Sequence, residues 1–492
     1  MMRLGFPGWR CVGLAFGLGM IMATGQAPWN LWVLTLAALA VLLRRLSAVP
    51  PVSAGWQGWF AGAGYFAVAL NWIVSPFLVD AATYGWMAPF ALILMAFGLA
   101  LFWAAAAFAA RHWLKPLPGL VLTLTLADLA RGYVLTGFPW ALIGHVWIDT
   151  PTAQLAALTG PTGLTLLTLI IAALAATLRP LALASAAVIA AAAWGYGLWA
   201  LSLPSPDAPA ISLRLIQPNA PQDAKWDPDH AQMFFDRLMT ATAAPGHPDL
   251  VIWPETSLPY PIEDGSALPA MIAEAGHGAL VAVGVERIER GATDFRGFNS
   301  LQIYGPEGTL ATYDKHHLVP FGEYIPLGNL AYDLFGIEAF AARTGHAYSA
   351  GPGPQIIDLG RLGHVLPLIC YEAVFPQDLR TATRPDWILQ ITNDAWFGTT
   401  SGPFQHAAQA RLRAIEQGLP LVRVANTGVT EVIDARGRVT ASLPFGMQGS
   451  LDAALPGPLA ATPYARYGEI PLILLLAGLL PLTIRHRRIP SA

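Results

Sequence analysis

Apolar positions run almost unbroken through the first two hundred residues and then give way to short mixed runs, so the pattern divides the chain before any motif is considered. Stretches that cross, or nearly cross, a hydrocarbon core of about 30 Å extend from Cys11 to Thr24, Trp29 to Leu43, Gly58 to Leu78, Trp86 to Ala110, Leu117 to Leu135, Pro161 to Leu178 and Leu181 to Leu201. An eighth runs from Ile470 to Ile484. The first two are short, which leaves open a re-entrant hairpin or a signal peptide cleaved near Ala23 and Gly25. Within the spans, Gly13 to Gly17 and Gly62 to Gly64 read as sites of close helix packing.

From Ser212 onward, β-type runs alternate with helical ones, the pattern of an α/β fold. Strands are predicted at Ser212 to Gln217, Asp249 to Trp253, Ala279 to Val285, Asn299 to Tyr304, Val365 to Ile369, Trp387 to Thr392 and Leu421 to Ala425. Helices are predicted at His230 to Ala243, Pro269 to Ala275 and Phe404 to Gln417. Gly305 to Gly308 and Asp434 to Gly437 carry the turn chemistry of hairpins. Three domains follow: a membrane domain of about seven spans over 1–202, an extracytoplasmic domain over 203–468, and a last span with a basic tail over 469–492.

Composition fits this division, with 54% hydrophobic and only 12% charged residues. Arg3, Arg10, Arg44, Arg45, Arg111, Lys115, Arg179, Arg485, Arg487 and Arg488 all fall on one side of an eight-span topology, and that side is expected to be cytoplasmic. The segment from Leu203 to Glu469 then lies outside the cytoplasm. Residues 202–468 carry a net charge near −10, which argues against a nucleic-acid partner. With only Cys11 and Cys370 present, no disulfide framework organises the fold.

Polar residues gather where three apolar strands end. Glu255 closes the run from Asp249, Cys370 closes the run from Val365 with Tyr371 and Glu372 behind it, and Asn393 and Trp396 follow the run from Trp387. Ligand sites in open α/β sheets lie beyond the carboxyl ends of strands. Lys315 sits in a loop too apolar to be a solvated charge run. An unassisted thiol near pKa 8.5 needs a base or a cation to act at neutral pH. Glu255 could take its proton, and Lys315 with the Tyr371 amide could hold an oxyanion. Alone, each has an ordinary reading: core thiol, helix N-cap, surface charge. His316 and His317 lack accompanying zinc-type spacing, so no metal is expected, and no Gly-x-Ser-x-Gly or phosphate loop occurs. The outer loop holding Gly137 to Trp140 could steer lipid or simply anchor at the interface.

Trp253-Pro-Glu255, the Lys315 to Tyr324 segment, Ile369 to Glu372 and Thr392 to Gly398 resemble the Glu-Lys-Cys motifs of the nitrilase superfamily. Flanked by membrane spans and accompanied by Gly137-Phe-Pro-Trp140, they are similar to those of the bacterial apolipoprotein N-acyltransferases. That resemblance implies an αββα sandwich beside a helical membrane domain, with Glu255 as general base, Lys315 as electrostatic stabiliser and Cys370 as nucleophile. It implies supporting roles for Glu323, Tyr371 and Glu372, and substrate contacts near Trp140, Asn393 and Trp396. It also implies acyl transfer from a phospholipid, typically phosphatidylethanolamine, to the α-amine of a diacylglyceryl-cysteine on a lipoprotein, with no cofactor. A monomer is expected. The rival readings are a membrane-tethered amidase using water as acceptor, and a transporter or receptor. Asp128 and Arg131 lie too near a span end to favour transport.

Overall fold

The computed structural model describes residues 5–263, 265–290, 295–326 and 347–485. Arg3, Arg487 and Arg488 lie outside them. The chain forms two compact units, one of residues 1–204, 397–412 and 461–492, the other of residues 205–396 and 413–460.

The first unit is helical. Its main helices are Trp9–Ala23, Trp32–Ala48, Pro51–Ala69, Ala88–Trp113, Pro116–Arg131, Ala156–Ala176, Pro180–Ser202 and Ile470–Thr483. Pro51, Pro116 and Pro180 open their helices, where a missing N–H costs nothing. Three helical stretches, Ala81–Trp113, Pro151–Ala176 and Pro180–Ser202, are long and apolar enough to cross a membrane. Pro51–Ala69 with Asn71–Leu78 makes a fourth candidate, bent by 64°. The first, second, fifth and eighth predicted stretches form helices of 15, 17, 16 and 14 residues, shorter than the ~20 residues a perpendicular span needs.

Of the glycines the sequence pattern marks, Gly62 and Gly64 pack closely and Gly13 and Gly17 do not. A Cβ on Gly19 would meet the Ala61 carbonyl at 1.9 Å and one on Gly64 the Phe16 carbonyl at 2.1 Å, whereas Gly13 and Gly17 face open space. Gly62 packs on Ala100. Asp128 and Arg131, each 1% exposed, are structural. The guanidinium donates to the carbonyls of Phe138 (2.9 Å), Trp140 (2.6 Å) and Ala141 (3.2 Å). Asp128 accepts from the Ile143 amide at 2.9 Å and the Thr165 hydroxyl at 3.1 Å. A loop whose carbonyls would otherwise lie unsatisfied among apolar helices is thereby held in one shape.

The second unit is built on two six-stranded sheets. The first sheet has the order β12-β1-β2-β3-β4-β5 and the second β11-β10-β9-β8-β7-β6. The strands are β1 (Ser212–Gln217), β2 (Leu250–Ile252), β3 (Leu280–Arg290), β4 (Phe295–Gly305), β5 (Gly308–Asp314), β6 (Ile357–Asp358), β7 (His364–Ile369), β8 (Trp387–Thr392), β9 (Leu421–Ala425), β10 (Thr430–Ile433), β11 (Val439–Leu443) and β12 (Gly449–Ala454). Strands β1, β2 and β3 pair in parallel, as do β7, β8 and β9, and both trios are buried runs of branched residues. Helices Pro228–Thr242 and Leu268–Ala275 cover the first sheet through Leu238 and Ile272, which pack with Val251, Trp253, Val281 and Val283. The Thr430 hydroxyl donates to Gln217 at 2.6 Å, linking the two sheets.

Candidate active site

The parallel strands deliver the site. β2 ends at Ile252, three residues before Glu255; β7 ends at Ile369 and hands directly to Cys370; β8 ends at Thr392, beside Asn393. Because parallel neighbours end on the same side of their sheet, Cys370 and Asn393 emerge together.

Cys370 has φ +52° and Thr256, just after Glu255, has φ +43°. A left-handed conformation at a non-glycine costs roughly 1–3 kcal/mol. At Cys370 that strain turns the chain sharply from strand into the short 3-10 helix Cys370–Val374. Two neighbours hold the turn: Glu372 accepts from the Ile369 amide at 2.7 Å, and Gln390 donates to the Cys370 carbonyl at 3.2 Å.

Glu255, Lys315 and Glu323 form a buried charge cluster, at most 5% exposed. The Lys315 Nζ lies 2.8 Å from Glu323 and 3.6 Å from Glu255. Burial works against the ammonium, but Glu323 and then Glu255 raise its pKa above the ordinary lysine value. Asn299 donates through Nδ2 to Glu255 at 2.7 Å and to Glu323 at 3.0 Å. The second Glu255 oxygen accepts from the Asn393 amide at 2.7 Å, and the second Glu323 oxygen from the Val319 amide at 2.8 Å. Glu255 is thus clamped from three elements.

Burial pushes the Cys370 thiol well above its ordinary value; the Glu255 charge adds to this, while Lys315 and a hydrogen bond with Thr392 oppose it. The resting group is a neutral thiol facing a carboxylate and an ammonium. Such an arrangement favours removal of the proton as the sulfur attacks, rather than a standing thiolate.

The structure brings Glu255, Lys315, Cys370, Glu323 and Asn393 into one electrostatic cluster. Tyr371 and Glu372 sit in the turn behind Cys370. Tyr371 packs edge-on against Phe375 and His317, and burial raises its phenol pKa. Glu372 accepts from the Tyr313 hydroxyl and the amides of His316 and His317, tying the Cys370 turn to the Lys315 loop. Trp396 is half-buried. Trp140 belongs to the helical unit and is fully buried. It packs on Trp72 at 4.6 Å and donates its indole N–H to Gln405 at 2.7 Å, so its ring has no exposed face for an interfacial anchor; the exposed apolar side chains of that loop are Tyr133, Val134 and Leu135.

Sequence reasoning missed Asn299, because its two partners are 44 and 24 residues away. It also missed the fully buried Arg423–Asp394 pair behind Thr392. Lys225, buried and donating to the Glu255 carbonyl at 3.2 Å, was not singled out either.

The comparisons with known proteins agree with this architecture. A carbon-nitrogen hydrolase model matches residues 213–464, which gives the class of the α/β unit. The model of the apolipoprotein N-acyltransferase N-terminal domain matches residues 18–174. The chain is 38% identical to the apolipoprotein N-acyltransferase of Caulobacter vibrioides, over 98% of this chain and 96% of that one. It is also 38% identical to that of Rhodopseudomonas palustris, over 99% and 97%, and 37% identical to that of Azotobacter vinelandii, over 99% and 97%. The chain belongs to the apolipoprotein N-acyltransferase family.

Proposed function

We propose that the chain N-acylates apolipoproteins through a thioester on Cys370, with Glu255 as general base and Lys315 as oxyanion stabiliser. The acyltransferase activity itself goes with family membership over nearly the whole chain. The observation that carries the residue roles is the buried Glu255–Lys315–Glu323 cluster acting on a thiol held at positive φ.

In the first half-reaction, Glu255 accepts the thiol proton as Cys370 Sγ attacks an ester carbonyl of a phospholipid, phosphatidylethanolamine being the donor we propose. Lys315 and the Tyr371 amide receive the developing oxyanion. Collapse breaks the ester C–O bond, the proton returns from Glu255 to the leaving oxygen, and a lysophospholipid departs. In the second, the neutral α-amine of the lipoprotein's diacylglyceryl-cysteine attacks the thioester. Glu255 takes the amine proton, the C–S bond breaks, and the thiol is restored. Glu323 keeps Lys315 charged and in place, and Asn299 keeps both carboxylates oriented.

The distribution of Arg and Lys between loops supports a bacterial inner-membrane protein with the region 203–468 in the periplasm. We propose that it acts as a monomer. Trp396 and Asn393 are retained as substrate contacts.

Phospholipid without lipopeptide should leave a long-lived adduct heavier by one acyl chain, cleaved by hydroxylamine and absent in Cys370→Ala. A diacylated lipopeptide should discharge it to the triacylated product. An adduct that maps to another residue, or that water removes as fast as lipopeptide does, would overturn the reading in favour of hydrolysis.

A further inference from the structure

His316, His317 and Asp378 are, among the described residues, the group whose nitrogen and oxygen atoms come together as metal ligands do, all within 4.8 Å of one another. The two histidines follow Lys315, and Asp378 lies in the short turn Pro376–Leu379 behind the nucleophile. No ligand spacing shows in the sequence because Asp378 is about sixty residues from the histidines and only the fold brings it to them.

The tautomer of His316 follows from its neighbours. Its Nδ1 lies 2.6 Å from a Glu372 oxygen and 2.8 Å from the Tyr313 oxygen, and the Tyr313 proton is itself directed at Glu372. Both neighbours are therefore acceptors toward Nδ1, so the imidazole proton belongs there. Nε2 on the far side is buried without a hydrogen bond and lies 3.4 Å from Asp378 Oδ2, so a metal ion binding there displaces any proton it carries. A histidine whose far nitrogen is held by a carboxylate is the usual form of a metal ligand, since the carboxylate fixes the ring and raises its basicity.

The spacing also fits. Bonds of about 2.0–2.1 Å at tetrahedral angles place ligand atoms roughly 3.3–3.5 Å apart. Asp378 Oδ2 lies 3.4 Å from His316 Nε2 and 2.8 Å from His317 Nδ1, so of the two edges at Asp378 one already fits and one opens by roughly half an ångström, while the edge between the histidines lies within 4.8 Å. The His317 ring is set by stacking on Phe375 at 3.5 Å. The side chains are 12%, 20% and 15% exposed, enough for an ion to enter and for water to complete its shell.

We propose that His316, His317 and Asp378 bind a divalent transition ion of the zinc class, with water as fourth ligand, and that the ion fastens the Lys315 loop to the segment behind Cys370. Two nitrogens and a carboxylate oxygen suit zinc over calcium or magnesium, which prefer all-oxygen shells. Asp378 and the adjoining Glu372 balance the charge. The site takes no part in the thioester chemistry above and stands or falls separately from it.

The test uses the full chain in detergent, stripped with chelator and carrying Cys370→Ala so that the thiol contributes no binding. Zinc chloride is titrated by calorimetry, and cobalt chloride by its visible spectrum. One saturable equivalent per chain, a tetrahedral cobalt spectrum without thiolate charge transfer, and a zinc-dependent rise in unfolding temperature are expected. His316→Ala should weaken binding by more than the roughly 10- to 100-fold that loss of an outer partner costs. Asp378→Asn, the milder change, serves where His316→Ala does not fold, and should abolish the zinc-dependent rise. No saturable binding, or binding that both variants leave unchanged, overturns the proposal.

Discussion

Replacing Lys315 with Met separates what this lysine does for the fold from what it does for the reaction. The ammonium lies 2.8 Å from Glu323 and 3.6 Å from Glu255, all three groups being buried. Without it, two carboxylates share Asn299 as a donor with no cation between them. Removing one partner of such a cluster typically costs about 3–5 kcal/mol, so Lys315→Met should unfold at markedly lower temperature than the parent. Loss of one oxyanion contact costs a further 2.7–4 kcal/mol in the transition state, or roughly two to three orders of magnitude in turnover. A second substitution, Glu323→Gln, removes one unpaired charge. The double variant should recover much of the lost stability and none of the lost turnover. The assay pairs thermal unfolding in detergent with mass-spectrometric detection of acyl-Cys370 and of triacylated lipopeptide. Near-normal turnover in folded Lys315→Met would remove the lysine from the mechanism. A double variant no more stable than the single one would show that the carboxylates do not depend on Lys315 for charge balance.

Because burial and the Glu255 charge both raise the Cys370 thiol, iodoacetamide should alkylate Cys370 far more slowly than free cysteine at neutral pH, with the rate still climbing above pH 9. Glu255→Gln removes one of those causes and should speed alkylation at Cys370, followed by peptide mass, while abolishing acyl transfer; slower alkylation would contradict the assigned polarity. Asn299→Ala should lower turnover by roughly 10- to 100-fold, since a clamped base loses its alignment, with lipopeptide KM little changed; unaltered turnover would make Asn299 a bystander. Trp140→Ala should cost about 3–5 kcal/mol, as for other buried large aromatics, and Trp140→Phe only about 1 kcal/mol for the lost bond to Gln405; a fully stable Trp140→Ala measured by thermal unfolding would restore a surface role.

Glu255, Cys370 and Asn393 were legible because each follows a run whose burial is written in its composition, whereas Lys315 follows the mostly exposed β5 and was marked only by its apolar loop. β2, β7 and β8 are short branched segments, and the polar residue that stops each one is the residue the site uses. What supports the candidate site was not legible. Asn299, Asp378, Arg423 and Lys225 act across sequence separations of 29 to 61 residues, and nothing local marks them. The edge strands β5, β6, β11 and β12, and β10 beside β11, were missed for a different reason. β6 has two residues, and β11 and β12 are half-exposed strands of small and polar residues held mainly by their neighbours. Trp140 misled because a tryptophan after Gly-Phe-Pro has the composition of an interfacial anchor, whereas its burial depends on Trp72, Phe397 and Gln405, far away in the chain.

The antiparallel pairing of β1 with β12 matches Ser212 with Ala454 and Gln217 with Gly449. During synthesis, the strand that begins the α/β unit must therefore wait for nearly the whole unit to be made before its outer edge is covered. Contacts of such long sequence separation form late, since loop-closure entropy opposes them until the intervening structure is in place. Until β12 arrives, β1 presents unpaired backbone groups to any other extended chain. Ribosomes stalled before residue 449 should hold a nascent chain that aggregates or recruits holdase chaperones, and a premature stop just upstream of β12 should be removed as a misfolded protein rather than persist as an inactive enzyme.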